Sequence, residues 1–399
     1  MTLDLLCRVV DNYGDIGLVY RLAKALSAAA PDAKLRLLVD DLAAFHALAP
    51  GIDADLPAQL FSGWTVLRWD SPRAAFASDP PRLVIECFAS GRPEGFEEAL
   101  FDPGRSDIRH IVNLEHLSAE GWVRDFHKLP SLTRSGRVKK HFFMPGFETG
   151  TGGLVLDPRF KEARSRSRDA FGRAVLRREL SLRLGIFPPT YGEAFALLAF
   201  SYEHDYARVV ADLASWAVTV PAGQPSRPLL ALVAPGRSAS CFLGATETAG
   251  QPFPTLPLPF LAQEDWDKLL LSSDFLVVRG EESLARAVLS GRPFIWQAYL
   301  QAENHQLVKV RALLDLMRPH FPPACFEALE RLSLAFNDRL ADGPEAGGHE
   351  PLLPLLEVLP ELEPGFASFS DSVFALGDLG AHLVTFIREI VYAPPSLTG

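Results

Sequence analysis

Residues 3–22 read LDLLCRVVDNYGDIGLVYRL, and this stretch decides the fold. Residues 3–10 are an apolar run of strand length, and from Leu18 onward the apolar residues recur at helical spacing. Between them, residues 11–17 hold two carboxylates and two glycines. A strand, a polar turn and a helix in this order predict the first half of a βαβ unit. In open parallel sheets the ligand crevice lies beyond the carboxyl ends of the strands, so Asp11 and Asp15 are candidate functional residues.

Asp11 and Asp15 also have a purely structural interpretation. Aspartate and glycine are ordinary turn residues, and the Asp15 carboxylate could cap the helix by accepting a backbone N–H. The turn alone favours neither interpretation, so the choice depends on the rest of the chain.

The composition indicates a globular chain with more than one domain. At 399 residues the chain exceeds one ordinary core, and its 48% hydrophobic content is enough for large buried sheets. A net charge of −10 argues against general nucleic-acid binding. The four cysteines are far apart and form no C-x-x-C pair, so neither a zinc site nor a disulfide framework is indicated. We expect a cytoplasmic protein, because no signal peptide or membrane-spanning run is evident.

Strand-like and helix-like segments alternate in both halves of the chain. In the first half we predict strands at 35–39, 66–69, 83–86 and 109–114, and helices at 42–48 and 94–100. In the second half we predict strands at 194–202, 229–234, 275–279 and 294–297, and helices at 206–218, 265–271, 282–289 and 303–317. This alternation predicts an α/β fold of two facing, doubly wound Rossmann-like domains with a ligand cleft between them.

The domain boundaries are predicted from changes in composition. We assign residues 1–180 to the first domain and 181–375 to the second. Residues 343–348 are predicted to form a loop. In the last segment, 376–399, we expect a helix near 381–392 that packs back on the first domain.

Residues 159–183 form the one basic stretch of an acidic chain. Its arginines are Arg164, Arg166, Arg168, Arg173, Arg177, Arg178 and Arg183. Charge runs usually lie in water, which favours a solvated linker helix. The alternative is a docking surface for an acidic macromolecule.

Residues 275–287 read FLVVRGEESLARA and repeat the strand–turn–helix pattern of the N-terminus. Free N–H groups at the helix start, the Ser283 hydroxyl and the Arg279 charge suit a diphosphate. Acidic residues in a first helical turn are also normal capping chemistry. Glu281 and Glu282 would repel a phosphate, so at least one of them must face away or bind a hydroxyl.

Further aromatic and polar residues lie where predicted strands end. Phe200 and Tyr202 close one strand, and Phe260 precedes Gln263; aromatic rings could stack on a nucleobase and a glutamine could pair with its edge. Taken alone, such aromatics are more often core residues. The segment after Tyr299 is unusually polar, but a capped surface helix explains it nearly as well. Its polar residues are Gln301, Glu303, His305 and Lys309.

The chain resembles the EarP family, the bacterial protein-arginine rhamnosyltransferases that modify translation elongation factor P. The matching stretches are CRVVDNYGDIG, VNLEHLSAEGWV, FFMPGFETGTGGL, FSYE, RGEESLARA and QAENHQLVK, spread from residue 7 to residue 309. The departures are Tyr13 and Tyr20, where Phe and Trp are expected, and Glu282, where Asp is expected.

The resemblance implies a GT-B glycosyltransferase with dTDP-β-L-rhamnose as donor on the C-terminal half. It implies one arginine of elongation factor P as acceptor on the N-terminal half, with no cofactor, metal, nucleic acid or membrane partner. The catalytic residues that it implies are Asp11, Asp15 and Glu281. The substrate-binding residues that it implies are Asn12, Tyr13, Gly14, Phe200, Tyr202, Phe260, Gln263, Arg279, Gly280, Glu282 and Ser283.

Other functions remain alternatives at this point. One is a GT-B transferase or a nucleotide-sugar epimerase that acts on a small molecule. Another is a non-catalytic nucleotide-sugar sensor that binds a partner through residues 164–183. The two carboxylates Asp11 and Asp15 weigh against a sensor, because burying them near an anionic donor costs stability without a catalytic use.

Overall fold

The computed structural model describes residues 1–10, 13–218, 227–338 and 351–392. The chain divides into two compact units, Met1–Pro158 together with the chain from Leu376, and Arg159–Ala375. The boundary predicted after residue 180 therefore lies too late, because residues 159–180 belong to the second unit. The loop predicted at 343–348 lies outside the described residues.

Strands and helices alternate along most of the described chain. The strands are β1 Thr2–Cys7, β2 Lys34–Val39, β3 Ala58–Phe61, β4 Trp64–Arg68, β5 Leu83–Cys87, β6 Arg109–Leu114, β7 Pro130–Ser131, β8 Val138–Phe143, β9 Phe195–Ala199, β10 Leu229–Val233, β11 Thr255–Pro257, β12 Phe275–Arg279 and β13 Phe294–Gln297. The helices are α1 Gly14–Ala29, α2 Leu42–Leu48, α3 Glu94–Leu100, α4 Trp122–Phe126, α5 Pro158–Arg166, α6 Ala170–Leu184, α7 Ala207–Val218, α8 Ala239–Thr248, α9 Gln263–Ser272, α10 Gly280–Ser290, α11 Gln306–Met317, α12 Pro323–Asn337, α13 Leu353–Glu357, α14 Leu359–Ala375 and α15 Leu379–Tyr392.

The first unit is built on an eight-stranded sheet in the order β3-β4-β2-β1-β5-β6-β8-β7. All pairings are parallel except those of the edge strands β3 and β7. The chain runs from β1 through β2 and β4 toward one edge, and then from β5 toward the other. The strand order therefore reverses between β1 and β5, which is where open α/β sheets bind their ligands.

Helices pack on both faces of this sheet. Strand β1 contributes apolar side chains to both faces, because neighbouring residues of a strand point to opposite sides. Leu5 packs in the core cluster that includes Leu22 of α1 and Leu383 of α15. Leu6 points to the opposite cluster, which includes Phe96 of α3. Helix α15 thus packs with the first unit and lies against α1.

The second unit contains a five-stranded, wholly parallel sheet in the order β11-β10-β9-β12-β13. Strands β9, β10, β12 and β13 are almost entirely buried, as expected for a parallel sheet with helices on both faces, whereas the edge strand β11 is partly exposed. The chain proceeds from β9 to β10 and β11, then returns to β12 on the other side of β9. The order of this sheet therefore reverses between β9 and β12.

The basic stretch is not a solvated linker, which corrects the favoured interpretation of its arginines. It forms α5 and α6, and two of its guanidinium groups are buried in the second unit. Arg164 donates to the Leu289 carbonyl at 2.7 Å. Arg177 donates to the Ser272 carbonyl at 2.8 Å and to Asp274 at 2.7 Å. These bonds satisfy carbonyl groups at the ends of α9 and α10, which explains why the boundary falls before α5 rather than within α6.

Candidate active-site residues

The carboxyl ends of β9 and β12 come together at the point where the second sheet reverses its strand order. Phe200 donates its backbone N–H to the Val277 carbonyl at 2.8 Å, which joins the two strand ends. Tyr202 donates its backbone N–H to Gln297 Oε1 at 2.8 Å, and Gln297 is fully buried. The residues after β9 are therefore held through their backbone N–H groups to β12 and β13.

Arg279 lies between two of the predicted base-stacking aromatics. Its guanidinium carbon is 4.9 Å from the centre of the Phe200 ring and 4.8 Å from the centre of the Tyr202 ring. Both distances are within the range of cation–π contacts. The Arg279 Nε and Nη1 atoms are buried and find no hydrogen-bond acceptor among the described residues. Because buried donors are almost always paired in native proteins, these atoms suit an anionic ligand.

The loop after β10 also approaches this guanidinium. Gly236 adopts φ +143°, and a Cβ placed there would lie 3.9 Å from Arg279 Nη2 and 3.8 Å from the Phe200 ring. The next residue, Arg237, pairs with Glu203 at 2.8 Å. Burial opposes the ionisation of Glu203, but its hydrogen bonds and the Arg279 charge outweigh burial and lower its pKa. Neither Arg237 nor Gln297 was predicted from the sequence, because their roles depend on neighbours that are distant in the chain.

At the start of α10, the two acidic residues of the predicted phosphate site lie next to basic side chains. Gly280, with φ +68°, is the first residue of the helix, and its carbonyl accepts the indole N–H of Trp296 at 3.0 Å. Glu282 lies 3.4 Å from Arg286, whose side chain is 1% exposed. Glu281 lies 3.8 Å from the ammonium of Lys309. Both carboxylates therefore have a cationic neighbour, which reduces the repulsion that they would exert on a phosphate. The prediction that at least one of them faces away from the phosphate or binds a hydroxyl stays a prediction.

Ser283 occupies the first turn of α10 and is 8% exposed. The contact between its hydroxyl and a diphosphate stays a prediction.

The two residues predicted to complete the base site lie near α9. Gln263 is the first residue of α9 and is buried. Trp266, one turn later, packs its ring 5.0 Å from that of Phe200. Residues three apart share a helix face, so Gln263 is on the side of α9 that faces Phe200. Phe260 lies in the segment before α9 and is 44% exposed.

The candidate acid residues of the first unit lie after β1. Asp11 and Asn12 are outside the described residues. Asp15 is the second residue of α1, is 8% exposed, and accepts the backbone N–H of Val10 on its Oδ2 atom at 2.8 Å. Tyr13 is the N-cap residue, makes no side-chain capping bond and is exposed, and Gly14 begins the helix. The Asp15 carboxylate thus points back toward the end of β1.

Two buried thiols at the ends of β1 and β5 lie within the electrostatic influence of Asp15. Burial raises the pKa of Cys7 and of Cys87, the last residues of these strands, and the negative charge of Asp15 raises both further. Asp15 therefore occupies the reversal point of the first sheet. This is the position at which the opening sequence motif predicted a functional carboxylate.

The loops after β5 and β6 add features that the sequence did not predict. Phe88 and Ala89 have φ values of 60° and 48°, and Ala89 is exposed. The Phe88 ring stacks on His116, with ring centres 4.6 Å apart and planes at 19°. Non-glycine residues in the left-handed region are uncommon and concentrate at functional sites. The VNLEHL motif, which contains His116, was the sequence signal available for this residue. The motif could not indicate that His116 stacks on Phe88, because Phe88 is distant in the chain.

Two further properties concern the described segments alone. The described segments contain no group of three or more His, Cys, Asp or Glu side chains able to hold a metal ion. None of the described helices combines the length and apolar character needed to cross a bilayer.

Two Rossmann-like units, each with candidate site residues at the reversal point of its sheet, define an α/β protein of the doubly wound class. Comparison with known proteins narrows this class. The family profile of the elongation factor P rhamnosyltransferase EarP matches residues 3–388. The chain belongs to this EarP family, and it is a glycosyltransferase, a protein-arginine rhamnosyltransferase, with the Rossmann-like units of the GT-B type.

Individual relatives agree with this assignment. The protein-arginine rhamnosyltransferase of Pseudomonas aeruginosa is 36% identical over 396 residues, which cover 97% of this chain and 98% of that protein. The protein-arginine rhamnosyltransferase of Pseudomonas putida is 36% identical over 78% of this chain and 80% of its own length. A solved structure that explains EarP-mediated arginine glycosylation of translation elongation factor EF-P superposes with a TM-score of 0.58. That structure is 24% identical and covers 97% of this chain and 99% of its own, so it supports the fold.

Proposed function

We propose that this protein transfers L-rhamnose from dTDP-β-L-rhamnose to one arginine side chain of translation elongation factor P, with inversion at the anomeric carbon. The observation that carries the donor proposal is Arg279, whose guanidinium lies against two aromatic rings with two buried N–H groups unused by the described residues. Family membership supports the acceptor.

The donor proposal assigns the nucleotide to the reversal point of the second sheet. The rings of Phe200 and Tyr202 would contact the thymine ring or the sugar, and Gln263 would pair with the base edge. Phe260 is 44% exposed, and we assign its ring to cover the base. The diphosphate would lie on the first turn of α10, where backbone N–H groups, Ser283 and Arg279 offer hydrogen-bond donors.

The acceptor nitrogen must lose a proton during the reaction, although the free guanidinium holds that proton tightly. Glycosyl transfer passes through an oxocarbenium-like state, and inversion requires a nucleophile on the face opposite the leaving group. A guanidinium is a poor nucleophile because its pKa is above about 12. A carboxylate, with an ordinary pKa of about 4, cannot remove that proton in advance.

We therefore assign the proton transfer to the bond-forming step. Asp15 accepts the proton as the C–N bond forms, when the attacking nitrogen becomes acidic. Asp11 holds the remaining N–H groups of the guanidinium and so fixes its orientation. Glu281 contacts the sugar or the acceptor guanidinium. Helix α10 and Arg279 stabilise the departing dTDP, and the reaction requires no cofactor.

A single mass measurement tests the reaction. Purified elongation factor P is incubated with this protein and dTDP-β-L-rhamnose, and its intact mass and arginine-containing peptides are analysed. We expect a gain of one deoxyhexose on one arginine, with an α-linkage in the NMR spectrum of the product as the sign of inversion. A β-linkage contradicts inversion, and donor binding without transfer favours the sensor alternative. Because the acceptor is a translation factor, we expect the reaction to occur in the cytoplasm.

A further inference from the structure

Two helices of the second unit begin near one another, and Lys309 connects their first turns. Lys309 is the fourth residue of α11, and Glu281 is the second residue of α10. The Lys309 ammonium lies 3.8 Å from Glu281 Oε1, and the two side chains are 32% and 27% exposed. Lys309 belongs to the polar segment after Tyr299, for which the sequence analysis also allowed a capped surface helix. In the structure this segment places the Lys309 ammonium beside the start of α10.

The position of this cation is electrostatically unfavourable for the helix that carries it. The N-terminal turn of a helix is the positive end of its dipole, so acidic residues are preferred there and basic residues are not. Helix α11 has no acidic residue in its first turn to compensate. The nearby start of α10 adds a second positive helix end, with Arg279 as its N-cap residue.

The acidic residues at this place do not offset the cations. Glu282 is engaged by Arg286, at 3.4 Å, and Glu281 is shared with Lys309. Counting Arg279 with these four side chains gives three positive and two negative groups beside two positive helix ends. This surplus of positive charge suits an anion that carries more than one negative charge.

We propose that the ammonium of Lys309 binds the diphosphate of the nucleotide sugar, and that this contact stabilises the diphosphate as the sugar leaves. The inference rests on the function proposed above. When the anomeric C–O bond breaks, its electron pair goes to the diphosphate oxygen. The C–N bond forms to the arginine nitrogen, the released proton goes to Asp15, and Lys309 keeps its own proton throughout.

The contact with Glu281 is compatible with this role because it is weak. At 3.8 Å the two groups attract one another but are beyond a direct hydrogen bond, and both are partly exposed. Lys309 can therefore exchange the carboxylate for a phosphate oxygen at a small cost. Glu281 keeps the ammonium beside α10 in the unliganded protein.

Calorimetry with two nucleotides tests the inference. Thymidine diphosphate and thymidine monophosphate are titrated into the full-length protein, into K309M and K309R, and into the control K161M, which removes an exposed lysine on α5 of the same unit. We expect K309M to weaken binding of the diphosphate about tenfold, since a charge-assisted contact is lost. Binding of the monophosphate should change little, K309R should recover most of the loss, and K161M should match the unmodified protein.

The outcomes separate this inference from the proposed function. If K309M binds thymidine diphosphate as tightly as the unmodified protein, or weakens both nucleotides equally, Lys309 does not bind the diphosphate. If the unmodified protein binds neither nucleotide, the proposed donor site itself is wrong and the role of Lys309 fails with it. A diphosphate loss in K309M that diminishes at high salt supports a direct charge contact.

Discussion

The Asp15 carboxylate accepts a 2.8 Å hydrogen bond from the backbone N–H of Val10, five residues earlier in the chain. One oxygen of the carboxylate is therefore held by the backbone at the end of β1. A proton acceptor held in this way needs little reorganisation when its partner becomes acidic. The same bond would merely stabilise the turn if Asp15 had only a structural role, so the two interpretations make different predictions.

Replacing Asp15 by asparagine should separate catalysis from folding. Asn keeps an oxygen that can accept the Val10 N–H but cannot take up the proton, so we expect arginine modification to slow by about a thousandfold. The measurement is the initial rate of mass gain on elongation factor P, with donor affinity determined by calorimetry. Donor affinity should remain nearly intact.

Asp40 is a matched control for Asp15, because the two carboxylates accept the N–H groups of neighbouring backbone residues. Asp40 accepts the backbone N–H of Val9 at 2.8 Å, and it has no assigned role in transfer. D40N should lower the rate only as far as it lowers stability. Retention of most turnover by D15N, or equal losses in D15N and D40N, would show that Asp15 is not the proton acceptor.

The aromatic ring of Phe200 should contribute directly to nucleotide affinity. Stacking of a base on an aromatic side chain contributes about 1–3 kcal/mol, so F200A should weaken donor binding roughly thirtyfold. F200Y keeps the ring and should retain most of the affinity. Since Phe200 also packs on Trp266, thermal unfolding of each variant is measured in parallel. Unchanged donor affinity in F200A would remove this ring from the nucleotide site.

Ser283 offers a smaller and more specific test of the diphosphate site. Loss of one hydroxyl hydrogen bond costs about 1 kcal/mol, so S283A should weaken thymidine diphosphate binding about fivefold in calorimetry. S290A is the control, because Ser290 is at the opposite end of α10 and donates to the Ala287 carbonyl. Equal affinities of S283A and S290A would place the diphosphate away from the start of α10.

Arg177 should be a strong determinant of stability, although it belongs to a basic stretch. Its buried guanidinium donates to the Ser272 and Ala194 carbonyls and pairs with Asp274. R177M removes these bonds, although Arg227 still donates to the Ala194 carbonyl and to Asp274, and it should cost about 2 kcal/mol. The measurement is the free energy of unfolding in urea. The exposed neighbour provides the comparison, and R178M should change stability by less than about 0.5 kcal/mol. Similar losses in the two variants would contradict the structural role assigned to Arg177.

His127 should make stability depend on pH in the mildly acidic range. Burial, together with Lys128 and His382, lowers the pKa of His127 from 6.5 to about 4, and its Nδ1 accepts the Met144 N–H at 3.1 Å. Between these values the unfolded chain binds more protons at this position than the folded chain, so stability falls as the pH falls from 6.5 to about 4. H127Q lacks this contribution.

The measurement for His127 is the midpoint of urea unfolding at several pH values in that window. The wild-type midpoint should fall more steeply with decreasing pH than the H127Q midpoint. Asp4, whose pKa burial raises to about 6, acts in the opposite direction but is present in both proteins and cancels in the comparison. Parallel pH profiles would mean that His127 does not titrate as described.

The sequence predicted the strand-turn-helix units well, because each depends on local periodicity. Strand β12 lies where its apolar run placed it, and β1 overlaps the predicted region but ends at Cys7, three residues before the apolar run ends. Helices α12 to α14 were not predicted. Helices α13 and α14 pack on α7 and α10, which are distant in the chain, so their apolar faces are explained only by the tertiary structure. The domain boundary was misplaced for a related reason. The charges of α5 and α6 read as solvated, whereas Arg164 and Arg177 bond to buried groups more than ninety residues away.

For the candidate site, the sequence by itself determined which residue types stand at the strand ends: Asp15 after β1, Phe200 and Tyr202 after β9, and Arg279 after β12. A strand end and the turn that follows it are local properties, so the chain order is enough to find them. Only the tertiary structure decided which of these groups meet, because strand order and side-chain pairing depend on packing between distant segments. It placed Arg279 between the two aromatic rings and turned Glu282 toward Arg286. It also brought Lys309 to the start of α10.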